Sequence, residues 1–287
     1  LPSLTGNINE RTWNTQRKAL YARFSQAIAL MPSLNGYGTL TQESSSGAGD
    51  AVDTAAETFI TSGLSKVIKI NNICDNEHLA DCGIISKITT IGGEQLAVPK
   101  DMSTLNSGMT MSGSNGVNTT STINTKAAAF ETQNGESILV YYNPFCRQDL
   151  GVDRTYVAPF MCANFIYDLN GNKGPNVIGK DMGFITAMYP SDSKIVAPVV
   201  IMQKSRRKHY DASKLCRQLD SESRVPSIEE LSAMVYNDKL LNLSYVNRTW
   251  SATTKSSTKA YTIAVQVGER WLDDRSYNDN EIYCIKR

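Results

Sequence analysis

The chain has 287 residues, 41% of them hydrophobic, which is enough for two domains of ordinary size with a sizeable core. The basic and acidic residues nearly balance at a net charge of +1, which argues against a dedicated nucleic-acid binder. The only two histidines, His78 and His209, lie far apart in the sequence and leave little material for a zinc site or a Ser–His–Asp triad. We expect a protein that is not an enzyme.

Residues 7–31 show the pattern of one amphipathic helix, whose apolar stripe is interrupted by Arg17. The apolar residues at helical spacing are Trp13, Leu20, Phe24, Ile28 and Met31. The helix is predicted to end before Pro32. A second helical stretch is predicted near residues 53–66.

Three apolar runs in the middle of the chain predict β-strands, at residues 137–142, 164–169 and 194–202. The Ser-, Thr-, Asn- and Gly-rich residues 102–125 indicate a long exposed loop or an irregular hairpin. The composition changes at a basic cluster between Lys204 and His209, which we interpret as a solvated linker. A domain boundary is therefore predicted near residue 204.

The block after this boundary has its own sequence of predicted elements. A helix at "ASKLCRQLD" leads to a second helix in "RVPSIEELSAMV", where Ser227 and Glu230 have the spacing of a capping box. The strand-like runs "TWSATT", "AYTIAVQV" and "IYCIKR" complete the block. This alternation predicts a compact α+β unit.

The six cysteines contain no CxxC spacing, which disfavours zinc ribbons and thioredoxin-like redox chemistry. Their even number indicates disulfides and an oxidising compartment, with six free thiols as the alternative. They fall into three sequential pairs: Cys74 with Cys82, Cys146 with Cys162, and Cys216 with Cys284.

The stretch "DLNGNKGPNVIGKD" carries four oxygen-bearing side chains, those of Asp168, Asn170, Asn172 and Asp181. The first three alternate as in the first half of a calcium loop, but Gly179 occupies the position where an EF-hand requires a glutamate. The alternative is a rigid turn, in which Asn and Asp side chains bond backbone N–H groups and the glycines adopt positive φ. The glycine spacing fits neither the P-loop nor the dinucleotide fingerprint.

The long helix, the strands and this "D-x-N-G-x-K-G-P-N…G-x-D" stretch resemble the type IV pilin and pseudopilin family over roughly residues 1–200. The resemblance implies that residues 1–34 are the end of a pilin-type helix, whose apolar half precedes Leu1 and anchors the subunit in the inner membrane before assembly. It implies that residues 35–204 form a globular domain with an antiparallel sheet against that helix. In some pseudopilins a nearby loop binds calcium, so Asp181 would complete a structural calcium site here.

Residues 205–287 resemble the C-type-lectin-like fold, especially its bacterial adhesin-type members, in the order of "ASKLC", "RVPSIEEL", "WSATT", "AYTIAVQVG" and "YCIKR". The resemblance implies that Cys216 pairs with Cys284 to join the two ends of the domain. The EPN and WND motifs of calcium-dependent sugar-binding lectins are absent. The implied role is binding of a protein or another ligand through the loops before the last strand.

The stretch "GERWLDDRSYNDNEIY" is the best candidate for such binding, because aromatic residues and arginine carry much of the energy of recognition. The predicted ligand-binding residues are Trp271, Asp273, Asp274, Arg275, Tyr277 and Asn278. The alternative is that Trp271 belongs to the core and that the other residues form a solvated hairpin.

Together the two resemblances imply a minor-pilin-like subunit of an extracellular filament. Its helix would contact other pilin subunits, and residues 205–287 would bind a protein or glycan ligand for adhesion. The alternative is a pseudopilin of a type II-like secretion system that binds cargo or assembly components. No nucleic acid is expected as a partner and no cofactor beyond the calcium.

Overall fold

The computed structural model describes residues 2–35, 54–101, 105, 126–142, 161–188, 195–196, 199–206, 208–243, 248–265, 269–277 and 280–286. Within these ranges the protein is an α+β structure with two large sheets and one two-stranded hairpin. This agrees with the predicted fold class. The predicted loop at 102–125 lies almost wholly outside the described residues.

The first helix, α1 (Pro2–Asn35), buries the face that the periodicity predicts. Its buried apolar residues are Leu20, Phe24, Ala27 and Ile28. Burying a Leu, Phe or Ile side chain contributes about 1.5–3 kcal/mol. The helix does not end before Pro32 as predicted but continues to Asn35. Pro32 lies in its last turn, where a missing N–H removes a single helical hydrogen bond.

The N-terminal sheet has six strands in the order β1-β4-β5-β6-β7-β8, and every neighbouring pair is antiparallel. Its strands are β1 (Ile70–Cys74), β4 (Ala128–Thr132), β5 (Ser137–Tyr142), β6 (Met161–Asp168), β7 (Met182–Met188) and β8 (Ile195–Val196). The short strands β2 (Lys87–Thr89) and β3 (Gln95–Ala97) pair with each other outside this sheet. Helix α2 (Ala55–Ser62) packs with α1 on one face of the sheet.

The C-terminal sheet has the strand order β12-β11-β10-β13-β9 and is antiparallel except for the parallel pair of β10 and β13. Its strands are β9 (Val199–Arg206), β10 (Arg248–Thr254), β11 (Lys259–Ala264), β12 (Glu269–Asp274) and β13 (Glu281–Lys286). Three helices accompany it: α3 (His209–Leu219), α4 (Ile228–Tyr236) and α5 (Asp238–Leu241). Ser227 and Glu230 form the predicted capping box of α4.

The start of the C-terminal unit differs from the predicted boundary near residue 204. Strand β9 pairs with β13, so the C-terminal sheet already begins at Val199. The basic residues up to Arg206 lie within this strand and not in a linker. The run 194–202, predicted as one strand, is shared between β8 and β9, which belong to different sheets. Pro198 lies between them, and proline lacks the N–H that a continuous strand requires.

The core is organised as alternating layers of helices and sheets. Helices α1 and α2 cover one face of the N-terminal sheet, and α3 covers the outer face of the C-terminal sheet. Helices α4 and α5 lie between the two sheets, in one apolar cluster that includes Leu139 and Phe184 of the first sheet and Ile263 and Tyr283 of the second. The two predicted domains therefore share one core.

Disulfides close both units as predicted. Cys74 pairs with Cys82, and Cys216 on α3 pairs with Cys284 on β13. The second bond closes a separation of 68 residues, which contributes about 4 kcal/mol in the chain-entropy model. Cys162 is also disulfide-bonded, whereas its predicted partner Cys146 lies outside the described residues. Such disulfides are typical of a secreted or surface protein.

Candidate functional site

The first candidate site is the β6–β7 turn, residues 169–181, together with Asp168 at the end of β6. Gly171, Gly174 and Gly179 all adopt positive φ in this turn, as predicted for the first two. Both carboxylate oxygens of Asp181 accept backbone N–H groups, from Asn176 at 2.8 Å and from Val177 at 3.0 Å. The side chain of Asp181 is completely buried and fixes the middle of the turn.

Asp168 is buried but only half satisfied. Its Oδ1 accepts the backbone N–H of Asn170 at 3.2 Å, whereas its Oδ2 accepts no hydrogen bond from any described residue. Burial raises the pKa of Asp168 to about 7, the bond from Asn170 partly opposes this, and the nearby charge of Asp181 raises the pKa further. Asp168 also borders a cavity of about 10 Å³, which is close to the space that one water molecule needs.

Two asparagines bring further unsatisfied oxygens into the same turn. Asn170 donates from Nδ2 to the Gly174 carbonyl at 2.8 Å, but its Oδ1 is buried without a donor among the described residues. The Oδ1 of Asn176 is also buried without a donor among the described residues. Asn172, predicted as a metal ligand, is instead exposed. Asn176 was missed because it lies outside the D-x-N-x-N alternation, and the only signal for it is its place directly after Gly174 and Pro175.

The turn is also a docking contact for α1. Arg17, which interrupts the apolar stripe of the helix, is 7% exposed and donates from Nη2 to the Lys180 carbonyl at 2.6 Å and to the Gly179 carbonyl at 3.2 Å. Its Nη1 donates to Asn14 Oδ1 at 2.8 Å. A charged residue is therefore tolerated on the buried face of α1 because the turn supplies its acceptors.

The second candidate site is the predicted ligand-binding stretch on β12, which is an edge strand of the C-terminal sheet. Trp271 is 40% exposed, so it does not belong to the core, and the guanidinium of Arg248 lies 3.9 Å from its ring centre. Tyr277 is 48% exposed. Both rings are available on the surface, where aromatic side chains contribute strongly to recognition.

The two predicted aspartates are occupied by contacts within the unit. Asp273 pairs with Arg248 at 2.9 Å and accepts hydrogen bonds from Thr262 and Asn280. Asp274 accepts the N–H and the hydroxyl of Ser276, and these bonds lower the pKa of its carboxyl group. Both aspartates therefore support the shape of the hairpin.

Arg275 joins the hairpin to the start of α3. Its Nε donates to Nδ1 of His209 at 3.0 Å and its Nη1 donates to the Ser257 carbonyl at 3.0 Å. Its guanidinium lies 4.3 Å from the ring centre of Tyr210, which is 53% exposed. Tyr210 was missed by the sequence analysis because it lies on a helix 65 positions before Arg275. Asn278 lies outside the described residues.

No protein-family model matches the chain, and no curated protein is significantly similar to it. In the described ranges, no group of three or more His, Cys, Asp or Glu side chains is placed to hold a metal ion. None of the described helices combines the length and the apolar character needed to cross a membrane.

Proposed function

We propose that the chain is a minor-pilin-like subunit of a type IV pilus-type filament, and that its C-terminal unit is a lectin-like domain that binds a ligand for adhesion. The observation that carries this proposal is the two-sided character of α1. One side of the helix is buried on the N-terminal sheet, while the opposite side, which includes Ala19, Ala22 and Gln26, is exposed. Small residues on an exposed helix face permit close approach of another helix.

The filament proposal is tested by locating the protein in a host that assembles such filaments. The gene product with a C-terminal epitope is expected on filaments in immunogold electron microscopy. Ala22→Glu, on the exposed side of α1, should reduce incorporation without changing the melting temperature. Ser213→Glu, on the exposed side of α3, serves as the control and should incorporate normally. Label found only free in the medium, or equal incorporation of both variants, would contradict the proposal.

The alternative function, a pseudopilin that binds secretion cargo, is distinguished by the partners of the protein. Capture from secretion-competent cells should recover filament subunits if the adhesin proposal is right. Recovery of secreted cargo through the C-terminal unit would favour the alternative.

We also propose that the β6–β7 turn binds a divalent cation, with Ca²⁺ as the best fit. The carboxylates of Asp168 and Asp181 are both buried, and no described basic side chain forms an ion pair with either. Backbone N–H groups compensate Asp181, but Oδ2 of Asp168 has no donor among the described residues, and burying such charge is costly. Oxygens of Asp168, Asn170 and Asn176 would hold the ion, since carboxylate and amide oxygens are the ligands that Ca²⁺ prefers. The ion would supply the missing positive charge.

Thermal unfolding with added Ca²⁺ and with chelator tests the cation site. At a concentration 100 times the Kd, binding would stabilise the fold by about 2.7 kcal/mol, which raises the melting temperature by roughly 4–5 °C in a chain of this size. Asp168→Asn should abolish this difference, whereas Asn172→Ala, in the same turn but exposed, should preserve it. An unchanged melting temperature at millimolar Ca²⁺ would contradict a cation site in this turn.

A further inference from the structure

The guanidinium of Arg275 is fixed from three sides, and no described acidic side chain pairs with it. Its Nε and Nη1 donate to His209 and Ser257, and its flat face lies against the Tyr210 ring. The hydroxyl of Tyr210 donates to the same Ser257 carbonyl at 3.2 Å, which holds the ring in place. The side chain is therefore ordered before any ligand arrives, so binding loses little conformational entropy.

The positive charge of Arg275 is not compensated by the described residues around it. Arg224 and Arg248 in the same unit each pair with a carboxylate, but within the described ranges no acid lies within ion-pair distance of Arg275. The neighbouring acids, Asp273 and Asp274, are occupied by other donors. The imidazole of His209, which accepts from Arg275 at Nδ1 and donates to Ser251 at Nε2, is neutral, so it supplies no compensating negative charge.

The guanidinium retains donors for a ligand. Two of its five N–H groups donate to His209 and Ser257, and the other three have no acceptor among the described residues. A planar guanidinium presents such donors in a fork that matches two oxygens of one anionic group. The fixed position and the unpaired charge make Arg275 a receptor for an anion rather than a surface ion-pair residue.

The surroundings of Arg275 favour a sugar as the carrier of that anion. Tyr210 and Tyr277 expose about half of their surfaces, and an aromatic ring can pack against the apolar C–H face of a sugar ring. The adjoining turn from Lys255 to Lys259 is exposed and consists of lysine, serine and threonine, which can bond to hydroxyl groups. A peptide ligand instead relies on apolar pockets that bury anchor side chains, and the side chains of this turn offer none.

We propose that Arg275, whose guanidinium lies against Tyr210 and which is followed two residues later by the exposed Tyr277, binds the carboxylate of an acidic sugar in a glycan. The inference rests on the proposed function in one respect, namely that the C-terminal unit binds a ligand. It does not depend on assembly into a filament. It differs from calcium-dependent sugar recognition because the contact is a charge-assisted hydrogen bond from an arginine.

The test measures binding of oligogalacturonate to the full chain by calorimetry, with the methyl ester of the same oligosaccharide as the matched uncharged ligand. The acid is expected to bind and the ester to bind at least about 10-fold more weakly. Arg275→Gln should weaken binding of the acid about 10- to 100-fold. Arg217→Gln has the same charge change at an exposed position of α3 and should bind normally.

Arg275 also holds His209 in place, so Arg275→Gln could weaken binding by disturbing the fold. A second variant therefore tests binding without this effect. Tyr277→Ala changes an exposed ring that forms no hydrogen bond with any described residue, so it should weaken sugar binding while the melting temperature stays constant. Equal binding of acid and ester, full affinity of Arg275→Gln, or no binding of the acid at all would overturn the inference. If a sulfated galactan binds as tightly as the uronate, Arg275 remains the receptor, but the anionic group that it binds is a sulfate. If poly-glutamate binds as tightly, the ligand is not specifically a glycan, and the glycan assignment is overturned. The immunogold experiment tests the filament proposal separately, because it does not depend on sugar binding.

Discussion

His209 shows how a single buried side chain links two elements of the C-terminal unit. Its Nε2 donates to the Ser251 carbonyl at 3.0 Å, its Nδ1 accepts from Arg275, and its ring contacts Trp250 edge-on at 5.2 Å. Burial lowers the pKa of His209, the bond to Ser251 partly opposes this, and the charge of Arg275 lowers the pKa further. The folded protein therefore favours the neutral imidazole.

The lowered pKa of His209 determines how this residue makes stability depend on pH. The folded pKa of His209 lies below the unfolded value of about 6.5, so the unfolded state binds more protons between the two values. We expect the contribution of His209 to stability to be present above pH 6.5 and to be lost as the pH falls through the folded pKa. Urea unfolding at pH 5.5, 6.5 and 7.5 should show this loss in the wild type and a smaller loss in His209→Gln, whose amide can make both hydrogen bonds.

The control for this prediction is the other histidine, His78, which is exposed and bonds to Asp75 at 2.8 Å. That bond raises the pKa of His78, so its small contribution has the opposite sign and grows on acidification. His78→Gln should therefore keep the acid-induced loss. A pH dependence that is identical in wild type and His209→Gln would contradict the assignment.

At the scale of elements, α1 is held on the N-terminal sheet by two arginines as well as by apolar packing. Arg17 bonds to carbonyls of the β6–β7 turn, and Arg23 pairs with the buried Glu136 in the β4–β5 hairpin. These contacts fix the axial position and rotation of the helix, which nonspecific apolar packing alone does not determine. The periodicity of the sequence predicted the buried face of α1, but it showed Arg17 only as an interruption, because the acceptors lie more than 160 residues away.

Arg17→Gln should destabilise the fold because it leaves the Gly179 and Lys180 carbonyls without their donor. Loss of hydrogen bonds to a charged group in a part-buried site costs about 1.5–3 kcal/mol. Lys18→Gln makes the same charge change at the adjacent exposed position and should alter the free energy of unfolding by less than about 0.5 kcal/mol. Chemical denaturation of both variants checks this, and equal effects would show that Arg17 acts only through overall charge.

At the scale of the whole molecule, the C-terminal unit is built into the rest of the protein. Helix α4 is buried at every position except Glu229, because the N-terminal sheet covers one side and the C-terminal sheet the other. Asn237 at its end exchanges hydrogen bonds with Asn164 of β6 at 2.7 and 3.1 Å. Thr186 of β7 also donates to Asn164, at 2.6 Å. The C-terminal unit that carries Trp271 and Arg275 is therefore joined to the N-terminal sheet through a shared buried core.

The sequence predicted the parts of this arrangement that depend on local patterns. The helix in residues 7–31, the strand at 137–142 and the capping box of Ser227 all depend on residues within a few positions of each other. The shared core could not be predicted from the sequence. The sequence pattern of α4 is that of a short amphipathic helix with one buried face, and its second buried face depends on a sheet from another part of the chain. The start of the C-terminal sheet at Val199 did not follow either, since β9 is defined by its pairing with β13.

A double-mutant cycle measures how strongly the two units are coupled. Asn164→Ala and Asn237→Ala should each destabilise the protein, and the pair should show an interaction free energy of about 0.5–3 kcal/mol because they share one buried hydrogen-bond network. Asn280→Ala, a buried asparagine that bonds to Asp273 within the C-terminal unit, should combine additively with Asn237→Ala within about 0.5 kcal/mol. Hydrogen exchange should show that Asn237→Ala lowers protection in β6 and β11 together. Lower protection in β11 alone would mean that the two units unfold separately and that α4 belongs to the C-terminal unit only.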